Sequence, residues 1–415
     1  MTSLSNSTRT GDDAFPVHAR RAIGAIRDSA AALLESLPAV ITKPVDLQRV
    51  LRLDAKLAWQ IHKLATADEP LEVGRLTPGT GSFRTFVRSV QQAGVPEDAI
   101  TRFEQAVREF SEMVRLHAGD RQTFDSMISA FESGAQAEQS HLEHRRAAFR
   151  ANRHIWGGSV RAWFATMILA HDEDAPDRVD LVSLTGLVDI KRLRTGAIIP
   201  IRAFGNLHDD GKPNLQHRPE ALAPPPEGLP RDLALIPDFC AGQMPDLSFK
   251  RLSDDLSVVE ISGDTVGLQS STTVVQGFLA RRVASRFRSP SDTQGGFIMT
   301  MRSPCEVLIC DLLVADRTMG RIKPAARTYA ANLHQAFTIP APPEAVLMPG
   351  PEMRSLGSNL DTLRTPSVPR YAELIRFAIE RAGWADDTFH AYRATIEYPV
   401  MPSATHVLFE LPEPP

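Results

Sequence analysis

The sequence predicts a mixed fold, an all-α N-terminal half followed by an α+β C-terminal half. Two observations predict it. From about residue 17 to Ala170 the apolar residues recur at spacings of three and four, which is the period of helices buried on one face. After His171 the character changes to short runs rich in Val, Ile and Leu, broken by Gly, Pro or Asp, which read as strands. With 415 residues, 43% of them hydrophobic and 23% charged, the chain has ordinary globular composition and length for two or three domains.

Residues 1–16 are polar and end at Pro16, and are expected to form a disordered lead-in. A helical domain is expected over 17–118. Its first helix carries Ile23, Ile26, Ala30, Leu33, Leu34 and Leu37 on one face and stops at Pro38. A later helix, with Ser82 as its cap, carries Phe83, Phe86, Val87 and Val90 and ends at Gly94. Ile100, Phe103, Val107, Phe110 and Val114 mark another. Connecting helices are expected over 119–170. There Phe124, Met127, Ile128 and Phe131 share a face, and Gly134 interrupts the pattern before Phe149.

The α+β domain is expected over 171–415. VDLVSLTGLVDI, AIIPIRAF, LSVVEIS, GGFIMTM, EVLICDLLV and the terminal THVLFEL are its strand candidates, with APPPEGLP as a surface loop. Pro369 to Ala382 reads as a helix stopped by Gly383. Val274, Val275, Phe278, Leu279 and Val283 have helical spacing leading into RRVASRFR, so an amphipathic helix with a basic face at Arg282 and Arg286 is expected there.

Composition narrows the function. The formal charge of −4 excludes a wholesale polycation. Cys240, Cys305 and Cys310 are too few and scattered for a disulfide framework and suit a reducing cytoplasm. The first residues lack the apolar core of a signal peptide, and the most apolar run, Trp163 to Ala170, is too short for a membrane span. Neither a Gly-x-x-x-x-Gly-Lys-Ser/Thr loop nor a Gly-x-Gly-x-x-Gly turn offers a phosphate cradle, and no Gly-x-Ser-x-Gly elbow offers a serine nucleophile. Glu138, His141 and His144 sit one turn apart. A carboxylate-bridged metal bundle needs a second Glu-x-x-His, however, and solvated histidines are the plainer account. No cofactor or metal is expected.

The segment VDLQRVLRLDAKLAWQIHKL, Val45 to Leu64, carries the most specific signal. Pro44 and Asp46 suit a first helical turn; Leu47, Val50 and Leu51 share a face; Arg52-Leu53 connects; and Asp54 can cap a second helix with Leu57, Ile61 and Leu64 inward. Lys56, Trp59, Gln60 and Lys63 lie elsewhere on its circumference. Between Val17 and Lys63 eight Lys and Arg face four acids, so the region is basic within an acidic chain. An ordinary helical hairpin with solvated cations, and with Trp59 packed on the helix from Phe83 to Val90, accounts for the same residues.

The segment resembles the helix-turn-helix of bacterial repressors in the phage-repressor class over about twenty residues, roughly Pro44–Leu64. The resemblance implies double-stranded DNA as partner, with Arg52, Ala55, Lys56, Trp59, Gln60 and Lys63 on the contact side. Lys56, Gln60 and Ala55 would face bases, and Lys63 the backbone. Gln48 stands where a small residue is usual, and Arg52 where the turn glycine is usual, so the turn must differ or carry strain.

The other unusual stretch, His141 to Phe164, places five arginines (Arg145, Arg146, Arg150, Arg153, Arg161) among Phe149, Trp156 and Trp163. It suits holding nucleic acid by phosphate pairing and stacking, or, as the favoured reading, a hinge between domains at Gly157-Gly158 with Trp156 packed and the arginines paired to acids elsewhere. The leading expectation is a cytoplasmic, homo-oligomeric DNA-binding regulator whose C-terminal domain oligomerises or senses a signal. A self-assembling adaptor is the second, and an enzyme with an unrecognised site in the C-terminal half is the third.

Overall fold

A computed structural model describes residues 14–131, 134–205, 219–224, 226–227, 233–242, 246–251, 256–330, 346–348 and 351–415. The lead-in expected over 1–16 lies outside the described residues as far as residue 13. The chain divides into two compact units, Met1–His141 and Leu142–Pro415.

The first unit is helical. In α1 (Phe15–Glu35), Ala19, Ala22, Ile23, Ile26, Ala30 and Leu33 form one buried stripe. Then come α2 (Pro44–Leu51), α3 (Ala55–Ala65) and α4 (Thr80–Gln92). α4 starts ahead of the expected cap: Gly79 is its N-cap, and Ser82 sits in the first turn. α5 (Glu97–His117) opens on Glu97 and Asp98 and closes on Arg115 and His117, signs that complement its dipole. Phe83 and Phe86 both meet Phe103 edge-on, at 5.4 and 5.3 Å between ring centroids, joining α4 to α5. α6 (Arg121–Ile128) is capped by Asp120, whose carboxylate accepts the Thr123 N–H at 2.9 Å. α7 (Gly134–Trp156) begins at the glycine expected to interrupt it and continues past His141 into the second unit.

The second unit is built on strands, β1 (Gly158–Ala170), β2 (Arg178–Arg192), β3 (Ile199–Gly205), β4 (Glu220–Ala221), β5 (Ala241–Gly242), β6 (Asp246–Arg251), β7 (Leu256–Ser262) and β8 (Thr272–Ser285). They continue with β9 (Gln294–Met301), β10 (Cys305–Ala315), β11 (Ala325–Ala330), β12 (Val346–Met348), β13 (Arg354–Gly357), β14 (Phe389–Glu397) and β15 (Ser403–Glu410). The large sheet runs β13-β14-β10-β1-β2-β8-β4, with β5 also on β8. β1 and β10 are parallel, and the pairs flanking them are antiparallel. Two smaller sheets run β12-β11-β15-β9 and β3-β7-β6.

Helix α9 (Tyr371–Ala382) covers one face of the large sheet. Its Tyr371, Leu374, Ile375, Ala378 and Ile379 join Phe164, Ile168, Val182 and Leu313 in one core. On the other face Trp163, Leu187, Leu308 and Leu312 pack with Ile199, Ile201, Val259, Met301, Val407 and Phe409 from the smaller sheets. The strands expected at LSVVEIS, GGFIMTM, EVLICDLLV and THVLFEL are present as β7, β9, β10 and β15.

Two expectations fail here for one reason. The helical reading extended to Ala170, yet 158–170 is β1. The basic amphipathic helix expected at 274–288 is β8 through Ser285. β1 is central in the sheet and buried on both faces for most of its length, and β8 is largely buried over 272–280 before residues 281–285 reach the surface, so in these stretches the apolar residues do not alternate. A continuous apolar run does not separate strand from buried helix by period.

Candidate nucleic-acid interface

α2 begins where Asp46 reaches back over its own first turn. Its carboxylate accepts the N–H groups of Thr42 (3.2 Å) and Lys43 (3.0 Å) and the Thr42 hydroxyl (3.1 Å). The Thr42 and Lys43 donors hold the carboxyl below its ordinary range. The helix stops at Arg52, which takes left-handed φ 51, ψ 38. The departure from glycine is therefore met by strain and not by a different turn, because L-residues disfavour this region. Leu53 is buried behind the turn, and the Asp54 carboxylate accepts the Leu57 N–H at 2.9 Å, starting α3.

The inner face of α3, Leu57, Ala58, Ile61 and Leu64, is sealed in the core of the helical unit. On the outer side Ala55, Lys56, Trp59 and Lys63 are exposed, as is Arg52 in the turn, while Gln60 is half-buried. Trp59 keeps 39% of its surface accessible, so it does not serve the core. Arg52, Lys56 and Lys63 form no ion pair or side-chain hydrogen bond with any described residue. Gln48 is exposed, so its size costs nothing at that position.

Lys56, Leu57 and Gln60 also line a depression of about 330 Å³ together with Thr77, Gly79, Ser82 and Arg121 and the carboxylates of Asp54 and Asp125, the first capping α3 and the second paired with Arg121. Sequence reasoning did not connect these residues with α3. The signal available was Thr-Pro-Gly-Thr-Gly-Ser at 77–82, a turn composition ahead of a helical period. Gly79 caps α4 with no side chain, so the first N–H groups of α4 are left for an outside acceptor. Arg121 is already engaged, by Asp125 at 2.7 Å and by the Arg75 carbonyl at 2.9 Å.

No family model and no curated protein matches this chain.

The basic-aromatic stretch does not form one surface. Phe149 is buried against Tyr398 at 5.4 Å, with Arg153 over Phe149 and Arg146 over Tyr398, both at 5.8 Å. Trp163 is buried in β1, leaving Trp156 as the exposed aromatic. Gly157, at φ +69, ends α7, and a Cβ there would lie 2.5 Å from the Arg194 side chain. Arg194 in turn donates to the Ile155 carbonyl at 2.8 Å. Packing accounts for this stretch.

The candidates for other chemistry resolve similarly. Burial pushes the Cys305 thiol up to about 12 and raises Cys310 as well, so neither is a nucleophile near neutral pH. Asp316 is exposed, hydrogen-bonded to His390 at 3.1 Å, whereas Asp311 is fully buried. Arg393 grips Asp311 through two bonds, at 2.8 and 2.7 Å, and the Tyr371 hydroxyl donates to it at 2.9 Å. Burial opposes the charge on Arg393, but the Asp311 carboxylate holds the guanidinium above its ordinary value. Asp311 and Asp316, though close in sequence, thus sit in separate surroundings and form no acid–base pair, and the Asp311 network bolts α9 to the sheet. Among the described residues no three His, Cys, Asp or Glu side chains are grouped to hold a metal ion, Glu138, His141 and His144 included. No described helix is long and apolar enough to cross a membrane.

Proposed function

We propose that this protein is a cytoplasmic DNA-binding regulator in which α3 lies in the major groove of double-stranded DNA. The observation that carries the reading is the two-sidedness of α3. Its inner face is sealed, while the turn and outer face hold three unpaired cations and an exposed tryptophan. A groove-reading helix needs both properties. Lys56 and Ala55 face base edges with Gln60, Trp59 offers an apolar face to a thymine methyl or a sugar, and Arg52 and Lys63 pair with phosphates. The uncapped start of α4, beside Lys56, offers N–H groups to a further phosphate. One eleven-residue helix reads only a half-site, so the protein acts as a homo-oligomer, with the strand-rich unit oligomerising or sensing a signal.

The test is fluorescence anisotropy of the full chain on random-sequence duplex DNA across a salt series. Counterion release requires affinity to fall steeply as salt rises, by about 0.9 in log–log slope per phosphate neutralised. A flat response at low salt from folded protein ends the DNA reading.

The adaptor reading has one observation in its favour. The groove between α4 and α5, of about 820 Å³, is lined by apolar Phe83, Val87 and Val107 and by charges of both signs, among them Arg84, Arg88, Glu104 and Glu112, and no residue of α3 lines it. Folded protein indifferent to DNA but forming a stable assembly would favour that reading.

A further inference from the structure

In the strand-rich unit a cavity of about 160 Å³ opens where the three sheets meet. β1 supplies Trp163 and β2 supplies Thr185. Thr300 comes from β9, and Arg302 from the turn after it. Pro200, Ile201 and Met299 complete the wall.

The polar side chains here lack partners among the described residues. The Trp163 indole N–H is buried with no hydrogen-bond partner, although Trp163 itself is only 4% exposed. No described residue hydrogen-bonds or ion-pairs with the side chains of Thr185, Thr300 or Arg302. Buried donors are normally satisfied, and an indole N–H can only donate. Four side chains with unused donors therefore border one small space, and no carboxylate lines it.

We infer that this cavity binds a small monocarboxylate with a short apolar tail. The single cation matches a single negative charge. The carboxylate oxygens take the Arg302 guanidinium, the Trp163 N–H and the threonine hydroxyls, and charge-assisted bonds of this kind are the strong ones. Pro200, Ile201 and Met299 receive the tail, which a phosphate ion does not have. The site stands on this geometry alone, independently of whether α3 touches DNA.

The probe is butyrate, added to full-length protein labelled with ¹⁵N-tryptophan. Four indole signals are expected, from Trp59, Trp156, Trp163 and Trp384, and Trp163→Phe assigns one by its loss. The Trp163 signal moves saturably with butyrate while the other three stay in place. Arg302→Gln weakens the titration by about tenfold or more, as loss of a hydrogen bond to a charged group requires. Arg302 is exposed, so that variant folds whether or not Trp163→Phe does. If Trp163→Phe does not fold, Thr300→Val in place of it must weaken the titration. An unmoved Trp163 signal, an unchanged titration in Arg302→Gln, or a shift produced by inorganic phosphate and not by butyrate overturns the inference.

Discussion

Replacing Arg52 by glycine tests the turn on which the α2–α3 pair depends. Arg52 sits at φ 51, ψ 38 with its side chain exposed, so the backbone bears the cost and no core contact is lost by truncation. A left-handed L-residue costs about 1–2 kcal/mol. Glycine removes that cost but gives back about 0.5–1 kcal/mol through the greater freedom of its unfolded chain. The net is a stabilisation of about 0.5–1 kcal/mol, equivalent to roughly 2–4 °C in the melting of the helical unit. Arg52→Ala is the control, since it loses the same charge but keeps the Cβ. Thermal unfolding followed by circular dichroism should place Arg52→Gly above Arg52→Ala, and both should lose DNA affinity equally. If the glycine variant melts no higher than the alanine variant, the left-handed turn is wrong, and with it the orientation of α3.

Three further outcomes are expected. Lys56→Ala and Gln60→Ala should weaken DNA binding with melting unchanged, Lys56→Ala also lowering the salt slope by about one contact; a fall in melting temperature like that of Ile61→Ala would mean they pack instead. Asp311→Ala leaves a buried guanidinium unpaired and should cost about 3–5 kcal/mol in denaturant unfolding, so a cost below about 1 kcal/mol would show that the pair is solvated. Burial and the nearby Arg286 hold His171 below its ordinary 6.5, so the unfolded chain takes up protons first as pH falls. Stability should therefore drop from about pH 7 towards pH 5, and His171→Asn, whose amide can still hydrogen-bond the Thr318 hydroxyl 3.0 Å away, should flatten that slope; an identical slope in the variant would assign it elsewhere.

Most helices were legible because each buries one face. The periods in α1, α4, α5 and α9 and the Asp54 cap can be read directly from residue order. Strands such as β9 and β15 were legible from short apolar runs bounded by breakers. β1 and the 272–280 part of β8 were not, because a strand enclosed on both faces loses its alternation. For the proposed interface, the residues on α3 could be placed on its circumference, but the left-handed Arg52 could not be inferred, since nothing local distinguishes a strained arginine from a relaxed one. The neighbours of Lys56 at Gly79 and Arg121, and the pairing of Asp311 with Arg393 82 positions later, depend on contacts that period and spacing do not encode.

The order of strands governs when the second unit can form during synthesis. Its central parallel pair sets Val160 beside Cys305, and β15, in the last stretch of the chain, separates β9 from β11. Neither smaller-sheet neighbour finds its partner until Ser403–Glu410 has left the ribosome, and such long-range pairing is slow. Until then β9 and β11 present bare edges to other chains. Loss of Ser403–Glu410 would leave that condition permanent, turning such a variant into an aggregating one.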